Sequence, residues 1–109
     1  MFEYMKHVSN VEEINAEIQK DQVVVLLFSA TWCGDCMFTN TYMENVINDY
    51  KDYTFLHVDR DNFIDYCTSL DILGIPSFVA FRNGKEISRF VSRLRKSEDE
   101  VRAFLNDLK

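Results

Sequence analysis

Two adjoining segments decide the fold of this chain: Val23-Val24-Val25-Leu26-Leu27-Phe28 and, three residues later, Trp32-Cys33-Gly34-Asp35-Cys36. The first is an unbroken apolar run, which is typical of a strand covered on both faces, and it predicts a buried strand over about 23–29. After the second, apolar side chains recur at helical spacing and predict a helix over about 35–50. They are Phe38, Tyr42, Val46, Ile47 and Tyr50. The two cysteines are therefore expected on the turn where a strand becomes a helix.

Two cysteines separated by two residues at a helix start indicate redox chemistry. Their thiols can close on each other as a disulfide, and the partial positive charge of the helix N-terminus favours the thiolate of Cys33. A zinc site is the alternative, but it needs a second cysteine pair or two further ligands. The other candidates, Cys67, His7 and His57, have no such spacing. We therefore expect no metal.

The remaining elements follow from local signals along the chain. Capping-box spacing at Ser9/Glu12 and at Ser97/Glu100 predicts a helix near 10–20 and an amphipathic C-terminal helix. Asn83-Gly84 predicts a hairpin turn. Strands are predicted near Glu3–His7 and over Tyr53–Val58, Ser77–Phe81 and Lys85–Val91, a short helix over Asn62–Leu70, and a break at Gly74-Ile75-Pro76.

The predicted order is β-α-β-α-β-α-β-β-α. Alternation of this kind indicates an α/β fold, with helices on both faces of a central sheet that is mostly parallel and ends in an antiparallel edge hairpin. A length of 109 residues suits one domain over residues 1–109.

Composition excludes several classes of function. The net charge of −6 argues against nucleic acid as a general partner. No apolar stretch approaches the roughly 20 residues of a membrane span, and the segment Met1–His7 lacks the apolar region of a signal peptide. We therefore expect a cytoplasmic protein that does not engage a membrane.

The positive charge is concentrated in one segment. Between Arg82 and Lys96 there are six basic side chains and one acid, a local net charge of +5. Two interpretations stay open here. The segment is either a solvated face or a docking edge for an acidic partner, to which Arg89, Arg93, Arg95 and Lys96 would contribute.

These motifs together resemble the thioredoxin family, and the resemblance covers almost the whole chain. It rests on the apolar strand, Ala30-Thr31-Trp32-Cys33-Gly34-Asp35-Cys36, Val58-Asp59, Gly74-Ile75-Pro76-Ser77-Phe78, Phe81-Arg82-Asn83-Gly84-Lys85 and the closing helix. It implies the thioredoxin fold and a monomeric protein-disulfide reductase without a cofactor other than the redox-active Cys33–Cys36 disulfide. Cys33 would be the exposed nucleophile and Cys36 the buried resolving thiol. The partners would be protein disulfides and a separate electron donor of the thioredoxin-reductase kind.

The resemblance also implies a substrate groove. It predicts a cis Ile75–Pro76 bond that exposes the Ile75 backbone to a substrate strand. Trp32 would be a wall of the groove or, alternatively, part of the core. The expected substrate-binding residues are Trp32, Gly34, Asp35, Ile75, Pro76, Ser92 and Arg93.

The chain departs from the family pattern at four positions. Asp35 stands where thioredoxins typically have proline, and its carboxylate either caps the helix or disfavours the nearby thiolate. Leu27 and Phe55 stand where the family has a buried aspartate and its lysine partner, and Ser92 replaces a groove glycine. These departures keep open a more oxidising or narrow-substrate protein, or a docking subunit with incidental thiols. Cys67 is either a buried, inert thiol or a regulatory one.

Overall fold

The computed structural model describes all 109 residues and contains the nine elements in the predicted order. They are β1 (Lys6–His7), α1 (Val11–Ile18), β2 (Val24–Ser29), α2 (Gly34–Asn48), β3 (Thr54–Asp59), α3 (Ile64–Ser69), β4 (Ser77–Arg82), β5 (Lys85–Phe90) and α4 (Glu98–Asn106). The strand expected near Glu3–His7 is reduced to two residues.

All five strands form one sheet in the order β1-β3-β2-β4-β5. β3 runs parallel to both β1 and β2, whereas β4 runs antiparallel to β2 and to β5. The expectation of a mostly parallel sheet was therefore wrong, and the sheet is mixed. The connection between β3 and β4 contains one short helix, α3, and Ser77 begins β4 opposite Phe28, near the end of β2. β4 consequently starts near the edge where β3 ends, and it runs the other way.

Local chemistry explains the turns and helix starts. Asn83 and Gly84 both have positive φ, 54° and 79°, which is the backbone of the two-residue hairpin turn that Asn-Gly predicts. The Ser97/Glu100 capping box of α4 is confirmed. The cap predicted at Ser9 was wrong by one residue. The amide of Asn10 accepts from the backbone N–H of Glu13 at 2.8 Å, while Ser9 donates its own N–H to the Glu13 carboxylate.

The sheet separates two hydrophobic clusters, and helices cover both faces as predicted. Alternate side chains of β2 face opposite ways. Val25 and Leu27 join α2, α4 and the cysteine pair, whereas Leu26 and Phe28 join α1 and α3. The cysteines thus belong to the larger cluster. None of the four helices has the length and apolar composition needed to span a membrane.

Candidate active site

Cys33 and Cys36 lie at the turn between β2 and α2, as the sequence predicts. Cys33 is the N-cap residue of α2, and its Sγ accepts a hydrogen bond from the Cys36 backbone N–H at 3.1 Å. The two Sγ atoms are at disulfide distance, with Cα atoms 5.2 Å apart. The pair therefore sits where the helix presents unpaired N–H groups and partial positive charge, an environment that stabilises a sulfur anion.

The two sulfurs differ in access. Cys33 keeps 6% of its surface exposed and Cys36 keeps none. The Cys33 Sγ lies 3.8 Å from the carbonyl oxygen of Ile75. The Ile75–Pro76 peptide bond is cis, as the resemblance predicts, and Pro76 is buried beneath the loop. Only Cys33 is thus open to an incoming group, beside the Ile75 backbone.

Trp32 lies at the surface, with 61% of its area exposed. Its indole Nε1 donates to Asp61 Oδ2 at 2.8 Å, which ties the ring to the loop that follows β3. The ring forms one wall of an open cleft of about 330 Å³, which we call the Trp32 cleft. The residues lining it are Trp32, Arg60, Ile72, Leu73, Gly74, Ile75 and Arg93. This placement favours the groove-wall interpretation of Trp32 over the core one.

Arg60 and Leu73 line the Trp32 cleft but were not among the predicted site residues. A signal for Arg60 was present, because it directly follows β3, which is parallel to β2. The carboxyl ends of parallel strands meet at one edge of a sheet, so Arg60 had to lie near the cysteine turn. A larger cavity of about 580 Å³ lies between the N-terminal ends of α1 and α3, and neither cysteine lines it.

Gly74 and Ser92 bring two loops into backbone contact. A Cβ on Gly74 would lie 2.3 Å from the Ser92 carbonyl oxygen, so only glycine fits there without moving the chain. The Ser92 hydroxyl points away from the Trp32 cleft, since its Oγ accepts from Lys96 Nζ at 3.1 Å. Ser92 therefore shapes the loop next to the cleft, and its side chain does not line it.

Lys96 is buried, and its expected place on a docking edge was wrong. Only 1% of its surface is exposed. Its ammonium donates to the carbonyl oxygens of Ser92 and Leu94 as well as to the Ser92 hydroxyl, and it lies over the Phe90 ring. Burial lowers the pKa of Lys96. The long side chain thus fills a cage of oxygens formed by its own loop and ties that loop together.

The other cations of the positive segment are mostly paired. Arg82 pairs with Asp21, Arg89 with Glu86 and Arg95 with Asp35. Arg93 is exposed and donates its Nε to the Leu73 carbonyl oxygen at 3.1 Å, without a carboxylate partner. Three of the six cations are therefore held by carboxylates, and Arg93 is the member of the segment that lines the Trp32 cleft.

Asp35 and Gly34 complete the turn between the cysteines. Asp35 Oδ1 accepts from Arg95 Nε at 3.0 Å, and the Arg95 guanidinium lies 4.6 Å from the centre of the half-exposed Phe38 ring. Gly34 is exposed, and nothing lies within 4 Å of where its Cβ would be. The carboxylate is thus held by an arginine at the rim, beside the helix start.

Apolar side chains fill the space beneath the cysteine pair. Leu27 is fully buried there and Phe55 nearly so, and no carboxylate or ammonium replaces the family's buried pair.

His57 lies opposite Leu27 in the β2–β3 register and is bonded through Nε2 to the Ser29 hydroxyl. Its Nδ1 is buried without a partner, and burial, with the neighbouring His7, lowers the pKa of His57 to about 4. His57 is therefore neutral at pH 7.

The third cysteine is isolated from this site. Cys67 is buried in α3, and its burial raises the pKa of the thiol to about 11. This favours the interpretation of Cys67 as an inert core thiol. No three His, Cys, Asp or Glu side chains come together in an arrangement that could hold a metal ion.

The fold and the cysteine pair at the start of α2 define a class, the thioredoxin-fold dithiol–disulfide oxidoreductases. Comparison with known proteins gives the same answer, since residues 5–107 match the family model described as Thioredoxin. The chain belongs to the thioredoxin family. It is a thiol–disulfide oxidoreductase. Thioredoxins act on protein disulfides by dithiol–disulfide exchange, need no cofactor and are reduced by thioredoxin reductase.

Individual relatives match between 77% and 93% of the chain. Thioredoxin-2 of Dictyostelium discoideum is 34% identical over 84 residues, which are 77% of this chain and 94% of that protein. Thioredoxin-1 of Schizosaccharomyces pombe is 33% identical over 102 residues, which are 93% of this chain and 99% of that protein. The crystal structure of thioredoxin from Trypanosoma brucei brucei superposes with a TM-score of 0.85 at 26% identity, covering 95% of this chain and 89% of that one.

Proposed function

We propose that Cys33 is the nucleophile and Cys36 the resolving thiol of a protein-disulfide reductase. The observation that carries this assignment is the unequal access of two sulfurs at disulfide distance, with Cys33 open beside Ile75 and Cys36 enclosed. A helix N-terminus favours the Cys33 thiolate, which is the attacking species in thiol–disulfide exchange.

The reaction proceeds in two exchanges. The Cys33 thiolate attacks one sulfur of the substrate disulfide, forms a mixed disulfide and releases the other substrate sulfur as a thiolate, which takes a proton from water. The Cys36 sulfur, after losing its proton, attacks Cys33, closes the Cys33–Cys36 disulfide and releases the second substrate thiolate. Two electrons pass from the dithiol to the substrate, and a separate dithiol reductase restores them. Leu27 and Phe55 leave no buried acid under the pair, so the Cys36 proton passes either to the Asp35 carboxylate or to water.

The substrate lies along the exposed backbone of Ile75, as an added strand next to the sheet. Trp32 and Ile75 form the walls of its groove, and Pro76 fixes the loop. Gly34 leaves room above the helix start. Asp35, Ser92 and Arg93 shape the rim, Ser92 through its loop. Their positions around Cys33 support this assignment.

The location, oligomeric state and partners of the protein are proposed from the sequence as a whole. We propose a cytoplasmic monomer acting as one domain over residues 1–109, with no nucleic-acid or membrane partner. The net charge of −6 supports the exclusion of nucleic acid. The match of the family over residues 5–107 supports a single functional unit.

The test compares the wild type with a Cys33→Ser, Cys36→Ser double variant and a Cys67→Ser control in the reduction of insulin by dithiothreitol. The double variant is expected to lose all acceleration and the control to keep it. Acceleration retained by the double variant would contradict the assignment. A partner effect that survives the loss of both thiols would instead identify a docking subunit.

A further inference from the structure

Two guanidinium groups line the Trp32 cleft beside the cysteine pair. Arg93 uses its Nε on the Leu73 carbonyl oxygen, and its two Nη groups have no hydrogen-bond partner within the protein. Arg60 makes one loose ion pair, with its Nη1 3.7 Å from Asp61 Oδ1, while the other oxygen of Asp61 accepts from Trp32. Both arginines thus keep unused donors facing one small space.

The Trp32 cleft places two arginines side by side in an acidic molecule, and only Arg60 has a carboxylate near it, at 3.7 Å. The chain carries a net charge of −6, and Arg82, Arg89 and Arg95 are each held by a carboxylate. Two like charges in one cleft repel each other, and an anion placed between them relieves that repulsion. Guanidinium donors match a carboxylate in shape as well as charge. The cleft is therefore complementary to an acidic group.

The rest of the cleft suits a peptide. Its other walls are apolar, and the exposed side chain of Leu73 adds apolar surface to it. The cleft also begins at the reacting sulfur, because Trp32 precedes Cys33 and the Ile75 carbonyl lies 3.8 Å from the Cys33 Sγ. A group bound between the arginines would belong to residues next to the substrate cysteine.

We propose that Arg60 and Arg93 make the Trp32 cleft a specificity site for protein disulfides in which aspartate or glutamate flanks the cysteine. The inference rests on the proposed function and names the substrate class that the same site prefers. The occupant is an acidic peptide segment running along Ile75. Small anionic disulfides, which lack the flanking chain, are the competing occupants.

The position of Arg93 is built into the fold. The close approach of Ser92 to Gly74, the bond from Arg93 to Leu73 and the buried Lys96 all hold the 92–96 loop against the cleft. The guanidinium is therefore in place before substrate arrives, and less conformational entropy is lost on binding.

The experiment uses two synthetic peptide disulfides that differ only in the residues on either side of one cysteine, aspartate in one and asparagine in the other. The rate constant for oxidation of the reduced protein is measured in single turnovers at low and high salt. At low salt we expect the aspartate peptide to react about tenfold faster with the wild type. The preference should disappear in an Arg60→Gln, Arg93→Gln double variant and persist in Arg60→Lys, Arg93→Lys, which keeps both charges. Arg82→Gln, which removes an arginine outside the cleft, is the matched control.

Each outcome decides a separate point. Equal rates for the two peptides with the wild type, or an equal loss for both in the glutamine variant, would overturn the charge selectivity. If the glutamine variant loses as much rate with glutathione disulfide as with the aspartate peptide, the occupant of the cleft is a small anionic disulfide and not a peptide. Failure of the wild type with every disulfide, including uncharged 2-hydroxyethyl disulfide, would contradict the proposed function itself. Turnover without preference contradicts only this inference.

Discussion

The start of α2 should favour the Cys33 thiolate, and Asp35 brings to it a negative charge that opposes this effect. The structure changes the expectation drawn from sequence, because Arg95 holds this carboxylate at 3.0 Å. The ionisation of the Cys33 sulfur is then influenced by both charges of the Asp35–Arg95 pair, and Asp35 lies between the two cysteines in the sequence. Removing either member should shift the ionisation of Cys33, and the two shifts should have opposite signs.

We therefore predict that Asp35→Asn increases the thiolate fraction of Cys33 at neutral pH and that Arg95→Gln decreases it. Brief iodoacetamide treatment of the reduced protein across pH, followed by peptide mass mapping, measures both effects. Cys67 does not interfere, since burial raises its pKa to about 11. If Asp35→Asn leaves the alkylation of Cys33 unchanged or slows it, the carboxylate serves the helix and Arg95 rather than the sulfur.

His57 leads to a second prediction at the residue scale, which concerns how the free energy of unfolding changes with pH. Its pKa is lowered to about 4 by burial first and then by His7, with Asp59 acting in the opposite direction and the terminal amino group of Met1 in the same one. Below its usual value of 6.5 the unfolded chain takes up a proton that the folded protein refuses. The free energy of unfolding must therefore fall as pH drops from about 6.5 to 4.

At roughly 1.4 kcal/mol per pKa unit, this loss should reach about 2–3 kcal/mol at pH 4. Urea unfolding between pH 7 and pH 5 isolates it, because most carboxylates still stay ionised there. His57→Gln, which can still bond to Ser29, should flatten the dependence of the free energy of unfolding on pH. His7→Gln, which replaces the exposed ring next to His57, should leave most of that dependence in place. The same slope in wild type and His57→Gln would mean that another group is responsible.

At the scale of elements, the structure of the loop from Val91 to Lys96 depends on contacts that local sequence patterns do not predict. The Ser97/Glu100 capping box, the Asn-Gly turn and the strand–helix switch at the cysteines involve neighbours in sequence, and they were predicted correctly. The burial of Lys96 depends on the carbonyl groups of Ser92 and Leu94, in a loop that packs against Gly74. Composition records six basic side chains there and cannot tell a caged ammonium from a solvated one.

Gly74 provides the test of that loop contact. We predict that Gly74→Ala lowers the free energy of unfolding by about 1–3 kcal/mol, because the new methyl group would collide with the Ser92 backbone. Gly34→Ala is the matched control, since open space surrounds its Cβ position at the start of α2, and alanine there should be neutral or slightly stabilising. Chemical denaturation of both variants gives the comparison. Equal stability of Gly74→Ala and the wild type would contradict the close packing of the two loops.

At the scale of the whole molecule, the order of elements was predictable and the direction of β4 was not. A continuous apolar run shows that a strand is buried, but it is the same for parallel and antiparallel neighbours. The direction depends on whether the chain between β3 and β4 returns to the same edge of the sheet or crosses to the opposite one, and tertiary packing decides that. The Trp32 cleft illustrates the same limit. Trp32, Ile75 and Arg93 could be named from the motifs, whereas Arg60 and Leu73 join them only through the packing of separate loops around one sheet edge.

The central claim is the division of labour between Cys33 and Cys36, and trapping the mixed disulfide tests it most directly. Reduced Cys36→Ser protein should accumulate a covalent adduct with insulin through Cys33, because the serine at that position cannot displace the bound chain. Cys33→Ser should accumulate none, since Cys36 is fully enclosed. Mass mapping of the adducts locates the bond. An adduct through Cys36 or Cys67, or equal trapping by the two variants, would contradict the account.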